Sequence, residues 1–210
     1  MKKQLSGATK VMTKKSDQQR QNIIAVSREL FTEKGYTETS TREINERAGI
    51  AEGLLYYYFP KGKRQLLDVI VHEGVEDRVR VAENLTASWT RENMEENIVG
   101  LFENMWQLLG DGIGYQEFII TIRNRSMLSD EQSAWLIASF ENVQKRIADT
   151  VFALTREETT HEEATQLANA IMATFQKVIF DELLIRNHRA LPAGTYAFIA
   201  GQIHMLMKLI

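Results

Sequence analysis

Cysteine is absent from the 210 residues, proline occurs only twice, and no apolar run reaches the roughly 18 to 20 residues that span a bilayer. Without cysteine the chain can form no disulfide, thiolate zinc site, iron–sulfur cluster or cysteine nucleophile, which suits a reducing compartment. The first residues carry lysines but lack the apolar stretch of a signal peptide. We therefore expect a cytoplasmic protein with no membrane-spanning segment, folded as one or two globular domains.

Strand patterns are missing too, because apolar and polar residues nowhere alternate over a sustained stretch. Glycine stops and apolar residues at intervals of three and four predict an all-α fold of about nine helices. The spacing of a capping box, which marks a helix start, occurs at Ser16, Ser40, Ser129 and Thr160. The expected helices span residues 16–34, 40–48, 52–59, 63–87, 90–109, 115–128, 129–154, 160–187 and 192–210.

The formal net charge of −3 averages two regions of opposite sign. Residues 1–63 contain 12 Lys+Arg and 7 Asp+Glu, whereas the remaining residues contain 13 and 21. This division is typical of a nucleic-acid-binding domain attached to an acidic one, but a basic disordered tail on an unrelated fold would also produce it. Five of the twelve N-terminal cations lie within residues 1–16, which we expect to form a basic flexible tail.

Residues 41–59, TREINERAGIAEGLLYYYF, have the arithmetic of a helix-turn-helix: an eight-residue helix, a turn containing Gly49 and a second short helix. Ala48 is small where the two helices approach each other, and Ile44 and Leu55 can fill the core between them. The second helix has the size to enter a major groove. The motif therefore predicts sequence-specific binding to DNA.

The N-terminal sequence resembles the TetR family of bacterial transcriptional regulators across residues 20–67. The positions that carry the resemblance are Ile23-Ile24, Leu30-Phe31, Gly35-Tyr36, Thr39-Ser40, Ile44, Ala48-Gly49-Ile50, Gly53, Leu55-Tyr56-Tyr57-Tyr58-Phe59, Gly62-Lys63 and Leu66-Leu67. The resemblance implies a homodimer with a DNA-binding domain at 17–64 and a ligand-binding and dimerisation domain at 65–210. It implies dimerisation through helices near 161–187 and 192–210, and as partners double-stranded DNA with a palindromic operator and a small-molecule effector.

The motif and the resemblance together select the candidate DNA-binding residues. These are Ser40, Thr41, Arg42, Glu52, Gly53, Leu54, Tyr56, Tyr57, Tyr58 and Lys63. Arg42 can bind a phosphate or a guanine edge, and Lys63 matches the family's phosphate-binding lysine. Two positions depart from the family: Ala51 replaces the usual Ser or Thr cap, and Glu52 replaces a polar or basic side chain. Glu52 can either accept from cytosine N4 or simply complement the helix dipole.

The C-terminal domain has large apolar side chains with which to enclose an effector. The candidate lining residues are Phe102, Met105, Trp106, Phe118, Arg123, Trp135, Phe140 and Phe175. Charged residues within apolar runs bear on the charge of the ligand, because a buried charge needs a partner. Glu103 or Glu117 in the cavity would favour a lipophilic cation, and Arg123 would favour an acid or acyl group; each can instead form an ion pair or lie at the surface.

No spacing in the sequence is typical of a catalytic or metal site. The four histidines lie far apart without ligand spacing, so we expect no enzyme and no bound metal or cofactor. The predicted function is a DNA-binding transcriptional regulator, and the resemblance implies a repressor that a small molecule releases from its operator. The alternative is a DNA-anchored adaptor whose C-terminal domain binds a protein partner. Either protein would be associated with the nucleoid.

Overall fold

The computed structural model describes the backbone of residues 3–86, 88–110 and 112–210, and the side chains of residues 15–80, 88–110 and 112–210. Every regular element among these residues is helical, so the predicted all-α class is confirmed. The described α-helices are α1 (Lys3–Glu33), α2 (Thr41–Ala48), α3 (Glu52–Tyr58), α4 (Lys63–Thr86), α5 (Met94–Gly110), α6 (Gly112–Arg123), α7 (Asp130–Thr155), α8 (His161–Ile179) and α9 (Thr195–Met207). A 3-10 turn, Arg125–Met127, follows α6, and a π-helical turn, Phe180–Ile185, extends α8.

Capping boxes start three of the four helices for which they were expected. At Ser40, Ser129 and Thr160 the side-chain oxygen accepts the amide hydrogen of the third residue along, whose own side chain accepts from the cap. The start expected at Ser16 is wrong, because α1 is helical from Lys3. The flexibility expected of residues 1–16 stays a prediction. No proline interrupts residues 3–16, and the hydroxyl of Ser16 contacts that of Tyr58 at 3.2 Å.

The other boundaries differ where turns replace the expected helix. The α5 helix begins later than predicted, because the Thr90 amide donates to Asn93 Oδ1 at 2.6 Å and closes a turn. The α9 helix also begins later, since the Thr195 amide donates to the Pro192 carbonyl at 3.2 Å and Gly194 is left-handed, with φ 87°. The α6 and α8 helices end earlier than predicted, where the 3-10 and π-helical turns follow.

The chain divides into two compact units. The head unit comprises Met1–Glu73 and Gln116–Leu128, and the body unit comprises Gly74–Tyr115 and Ser129–Ile210. The sequence-based division ended the DNA-binding domain at residue 64. In the structure the head unit continues into α4 and includes most of α6. Each of these two helices therefore contributes residues to both units.

The core of the head unit is formed by the apolar faces of α1 to α4 with one side chain from α6. Its buried members are Ile23, Ile24, Leu30, Phe31, Ile44, Leu55, Phe59, Leu66, Leu67, Ile70, Val71 and Ile120. Burying an aliphatic or aromatic side chain of this size contributes about 1.5–3 kcal/mol. Helices as short as α2 and α3 are not stable alone in water, so this packing is what holds the helix-turn-helix in place.

The body unit consists of long helices that pack along one another. The α7 helix packs against α8, and α5 and α8 both contact α9. The buried rings of Phe102 on α5 and Phe175 on α8 lie with centroids 5.2 Å apart. Polar contacts also join α5 to α9: His204 Nδ1 lies 3.1 Å from a Glu95 carboxylate oxygen. Burial and a hydrogen bond with Glu103 raise the pKa of Tyr196 on α9 above its usual value.

Candidate DNA-binding surface

The first helix of the motif, α2, is fixed at both ends by local hydrogen bonds. Ser40 Oγ accepts the Glu43 amide hydrogen at 3.1 Å, and the Ser40 amide donates to Glu43 Oε2 at 3.0 Å. At the other end Gly49 has φ 65°, a left-handed conformation that glycine adopts without a steric cost, and its amide donates back to the carbonyls of Asn45 and Glu46. The turn predicted from Gly49 is therefore present.

The second helix of the motif, α3, is held by packing and lacks a side-chain cap. Ala51 occupies the N-cap position with extended backbone angles, and no side chain accepts from the first turn. Replacing a polar cap by alanine costs roughly 0.5–2 kcal/mol, and Glu52 in the first turn offsets part of this through the helix dipole. Leu55 is completely buried and anchors the helix, whereas Glu52 and Gly53 are exposed and Leu54 is half-buried.

The three consecutive tyrosines of α3 have different surroundings. Tyr56 and Tyr57 are 51% and 74% exposed, whereas Tyr58 packs against the core of the head unit with its hydroxyl beside Ser16. The rings of Tyr57 and Tyr58 meet edge to face with centroids 5.0 Å apart. Gly62, with φ 60°, lies under Tyr56: a Cβ atom at this glycine would be 3.0 Å from Cε1 of the Tyr56 ring. The exposed face of α3 therefore presents two tyrosines.

Arg42 extends from the first turn of α2 into solvent. Its side chain is 79% exposed, and Nε donates to Oε1 of Glu46 at 2.8 Å. An exposed pair of this i,i+4 type contributes little to stability, so the guanidinium can leave Glu46 for a stronger acceptor at little cost. Thr41 beside it is half-buried, and Ser40 is exposed although its oxygen caps the helix.

Lys63, the first residue of α4, has a different environment from the exposed Arg42. Its Nζ donates to the carbonyl oxygens of Tyr36 at 2.7 Å, Thr37 at 3.2 Å and Thr39 at 2.7 Å. The same nitrogen lies 4.4 Å from the centroid of the Tyr36 ring. Burial lowers the pKa of Lys63 below its usual value. Sequence reasoning missed these contacts, because carbonyl acceptors in a loop leave no side-chain pattern to read.

Ion pairs attach α2 to the end of α1. Arg47 makes a bidentate pair with Glu33, with nitrogen to oxygen distances of 2.7 and 3.0 Å. Lys34 pairs with Glu43, and this contact together with the hydrogen bond from the Ser40 amide lowers the pKa of Glu43 to about 2. The orientation of α2 on α1 therefore depends on side-chain charges at the surface as well as on the apolar core.

A buried ion pair in the head unit joins α1 to α6. Arg28 Nη2 lies 3.0 Å from Glu117 Oε1 and 3.4 Å from Glu73 Oε2, and both Arg28 and Glu117 are buried. The sequence offered Glu117 as a possible effector contact or an ion-pair partner, and the structure places it in the second role. Nothing in the local sequence pointed to Arg28 as its partner, because the two residues lie on helices far apart in the chain.

The eight predicted effector-lining residues are divided between the two units. Phe102, Trp106 and Phe175 form a buried aromatic cluster in the body unit, with the Phe102 and Trp106 centroids 6.2 Å apart. Met105 and Trp135 are half-buried in the body unit, and Phe140 is exposed there. Phe118 and Arg123 belong to the head unit, where Arg123 is exposed.

Several large apolar side chains lie exposed near the C-terminus. They are Phe180, Ile185, Phe198, Met205 and Leu209. Two grooves between α8 and α9 border this region: one of about 270 Å³ is lined in part by Val178 and Phe198, and one of about 410 Å³ is lined in part by Leu167 and Leu206.

Among the residues that the structure describes, no three His, Asp or Glu side chains come together in a way that could hold a metal ion. None of the helices that the structure describes is long and apolar enough to cross a membrane.

Part of the head unit is similar to a known protein family. Residues 23–70 match the family model described as bacterial regulatory proteins, tetR family. The HTH-type transcriptional regulator LmrA of Bacillus subtilis (strain 168) is 39% identical over 54 residues, which is 26% of this chain and 29% of LmrA. The chain thus matches less than a third of the length of this curated relative.

Solved structures share the fold over most of the chain. The TetR family transcriptional regulator PfmR from Thermus thermophilus is 16% identical with a TM-score of 0.67, covering 89% of this chain and 97% of PfmR. AibR, solved in complex with isovaleryl coenzyme A and operator DNA, is 19% identical with a TM-score of 0.61, covering 89% and 97%. At these identities the likeness concerns the fold alone. The helix-turn-helix region is thus similar to bacterial regulatory proteins of the tetR family, and the chain as a whole shares its fold with solved TetR-family regulators.

Proposed function

We propose that this protein is a sequence-specific regulator of transcription that inserts α3 into the major groove of operator DNA. The observation that carries the proposal is the division of α3 into a buried side, anchored by Leu55, and an exposed side with Tyr56 and Tyr57. A helix of this kind fits the major groove, where each base pair presents a distinct pattern of donors and acceptors.

The proposed contacts on DNA come from both helices of the motif. From α2 and its cap we assign Ser40, Thr41 and Arg42 to phosphate or base edges, with Arg42 free to leave its weak pair with Glu46. From α3 we assign Glu52, Gly53, Leu54, Tyr56, Tyr57 and Tyr58. Among them Glu52 is the residue suited to accept from cytosine N4, and it is exposed at the start of α3.

We propose that two copies bind DNA together as a homodimer. The exposed apolar side chains at the end of α8 and on α9, such as Phe180, Met205 and Leu209, supply the face that a second copy would cover. Dimeric helix-turn-helix proteins place their recognition helices about 34 Å apart, in successive major grooves, so a palindromic operator is expected.

For regulation we propose a small molecule that binds the body unit and releases the protein from its operator. Support comes from the aromatic cluster of Phe102, Trp106 and Phe175 and from AibR, whose structure contains both isovaleryl coenzyme A and operator DNA. A ligand shifts DNA binding only by its difference in affinity between the two conformations. Screening metabolites for those that raise the melting temperature and also weaken operator binding tests this part of the proposal.

The DNA-binding function is tested by selecting binding sites from a random duplex library with the full-length protein. We expect enrichment of a palindromic site and an affinity that falls steeply as salt rises, since phosphate contacts release counterions. A selection that enriches no sequence over several rounds, while the protein remains folded, would contradict the proposed function.

A further inference from the structure

We propose that Lys63 serves DNA binding as a positioning residue, which caps the loop of residues 36–39 and so fixes the start of α2, and that it does not itself bind a phosphate. The inference rests on the proposed function, because it concerns how that DNA-binding surface is held. It differs from the role that the family resemblance implies for this lysine.

Carbonyl oxygens already occupy the three donors of the Lys63 ammonium group. An ammonium group has three N–H bonds, and the Lys63 Nζ contacts three carbonyl oxygens, those of Tyr36, Thr37 and Thr39, at 2.7 to 3.2 Å. The Tyr36 ring covers a further side of the nitrogen at 4.4 Å. A phosphate oxygen could therefore bind this ammonium only by displacing one of the carbonyls.

The carbonyls that Lys63 contacts belong to the segment between α1 and α2. The 36–39 loop connects α1 to α2, and Thr39 at its end is buried, with its hydroxyl donating to the Gly35 carbonyl at 2.8 Å. Ser40 follows directly and caps α2, whose first turn carries Arg42. Lys63 thus ties the first residue of α4 to the segment that sets where α2 begins.

The shape of the ammonium group also suits this arrangement of carbonyls. Lysine presents a compact ammonium whose three donors spread in different directions, whereas the arginine guanidinium is a flat fork that matches phosphate and carboxylate oxygens. Three carbonyls converging on one nitrogen suit the ammonium and not the fork. A phosphate site would accept either cation, so the two residues distinguish the two roles.

The experiment compares Lys63→Arg and Lys63→Met in the full-length protein with the duplex obtained by selection. We expect both variants to bind DNA about tenfold more weakly than the wild type, since methionine donates to none of the loop carbonyls and the flat arginine fork does not match all three. Wild-type affinity in Lys63→Arg with a loss in Lys63→Met would overturn the proposal in favour of a phosphate ligand. Wild-type affinity in both would show that Lys63 has neither role.

A second measurement on the free protein keeps the test independent of DNA. The Ile44 amide donates to the Ser40 carbonyl at 3.2 Å in the first turn of α2, and its hydrogen exchange reports how firmly that turn is held. We expect Lys63→Met to speed this exchange about tenfold without DNA, whereas the matched control Lys61→Met, which removes an exposed cation two residues earlier, leaves it unchanged. Unchanged exchange in Lys63→Met would contradict the positioning role. If the wild type bound no duplex, the proposed function would fail while this result would still report on the cap.

Discussion

Arg28 on α1 and Glu117 on α6 form an ion pair of 3.0 Å inside the head unit, with both side chains buried. Removing one partner of a buried ion pair leaves the other charge without compensation, which typically costs about 3–5 kcal/mol. We therefore expect Arg28→Met to lower the free energy of unfolding by this amount in urea denaturation.

Two further variants test whether loss of the ion pair is what lowers the free energy of unfolding. The double variant Arg28→Met with Glu117→Leu removes both charges, and we expect it to recover most of the lost stability, because apolar replacement of a buried pair is often neutral. Lys145→Met breaks only the exposed pair with Asp149 and should change the unfolding free energy by less than about 0.5 kcal/mol. Equal stability of Arg28→Met and the wild type would contradict the expectation.

The lowered pKa of Glu43 predicts a pH dependence of stability. The carboxyl has a pKa of about 2 in the folded protein against 4.5 as the ordinary value, so its stabilising contribution is present above about pH 5 and is lost as pH falls towards 2. Glu43→Gln removes the charge that pairs with Lys34 but keeps a side chain able to cap α2. We expect the stability difference between wild type and Glu43→Gln to shrink between pH 5 and pH 2 in denaturant titrations. A constant difference over this range would exclude the ionic contribution.

Two neighbouring leucines on α3 are expected to differ in their roles: Leu55 stabilises the fold, and Leu54 contacts DNA. Leu55 is completely buried, so Leu55→Ala should lower the unfolding free energy by about 2–5 kcal/mol through the lost packing and the cavity. Leu54 is only half-buried, and Leu54→Ala is expected to cost less than about 1 kcal/mol while weakening operator binding. Comparable destabilisation by the two variants would show that α3 is packed differently.

Arg42 is expected to act through its charge on DNA. Replacing a lysine or arginine that contacts phosphate lowers the slope of log K against log salt by about 0.9 per contact. We predict that Arg42→Met reduces this slope by about 1.8 in a dimer, at about 0.9 for each copy, and changes the melting temperature little, since its pair with Glu46 is exposed. Lys145→Met on α7 of the body unit is the matched charge control, with an unchanged slope. If Arg42→Met instead relaxed the preference at one base pair, Arg42 would be a base-reading residue.

The proposed dimer surface is tested with two equally exposed apolar residues. Met205 on α9 is 56% exposed and lies in the proposed surface, whereas Ile137 on α7 is 57% exposed and lies outside it. A carboxylate placed in an apolar interface is costly to desolvate, so Met205→Glu should shift the protein towards monomer in sedimentation velocity. Ile137→Glu should leave the association state unchanged. A shift in the Ile137 variant alone would relocate the interface to α7.

The helix starts that the sequence predicted correctly are those determined by a few adjacent residues. The caps at Ser40 and Thr160 succeeded because a hydroxyl and a carboxylate three residues apart satisfy the first amides of a helix wherever it lies. The same spacing failed at Ser16, where the preceding residues continue the helix and no amide needs a cap. The end of α8 was missed because a π-helical turn has no distinct sequence pattern.

Within the candidate site, the helical pattern accounts for the exposure of some side chains on α2 and α3 but not for the contacts that order them. The exposure of Arg42, Tyr56 and Tyr57 follows from helical periodicity around buried Ile44 and Leu55. The carbonyl contacts of Lys63 and the pairing of Arg28 with Glu117 join segments that are distant in the chain, and no local spacing encodes such contacts. These tertiary contacts are visible only in the folded protein.

The close approach of Gly62 to Tyr56 limits how operator preference can be redesigned. A side chain at position 62 would need both a left-handed backbone and a new position for the Tyr56 ring, which lies 3.0 Å from where its Cβ would be. If residue 56 is varied to recognise another base, Gly62 must still be kept, because its backbone is left-handed. Libraries for altered specificity should hold position 62 constant and place their diversity at positions 52, 53 and 57, where the helix faces open solvent.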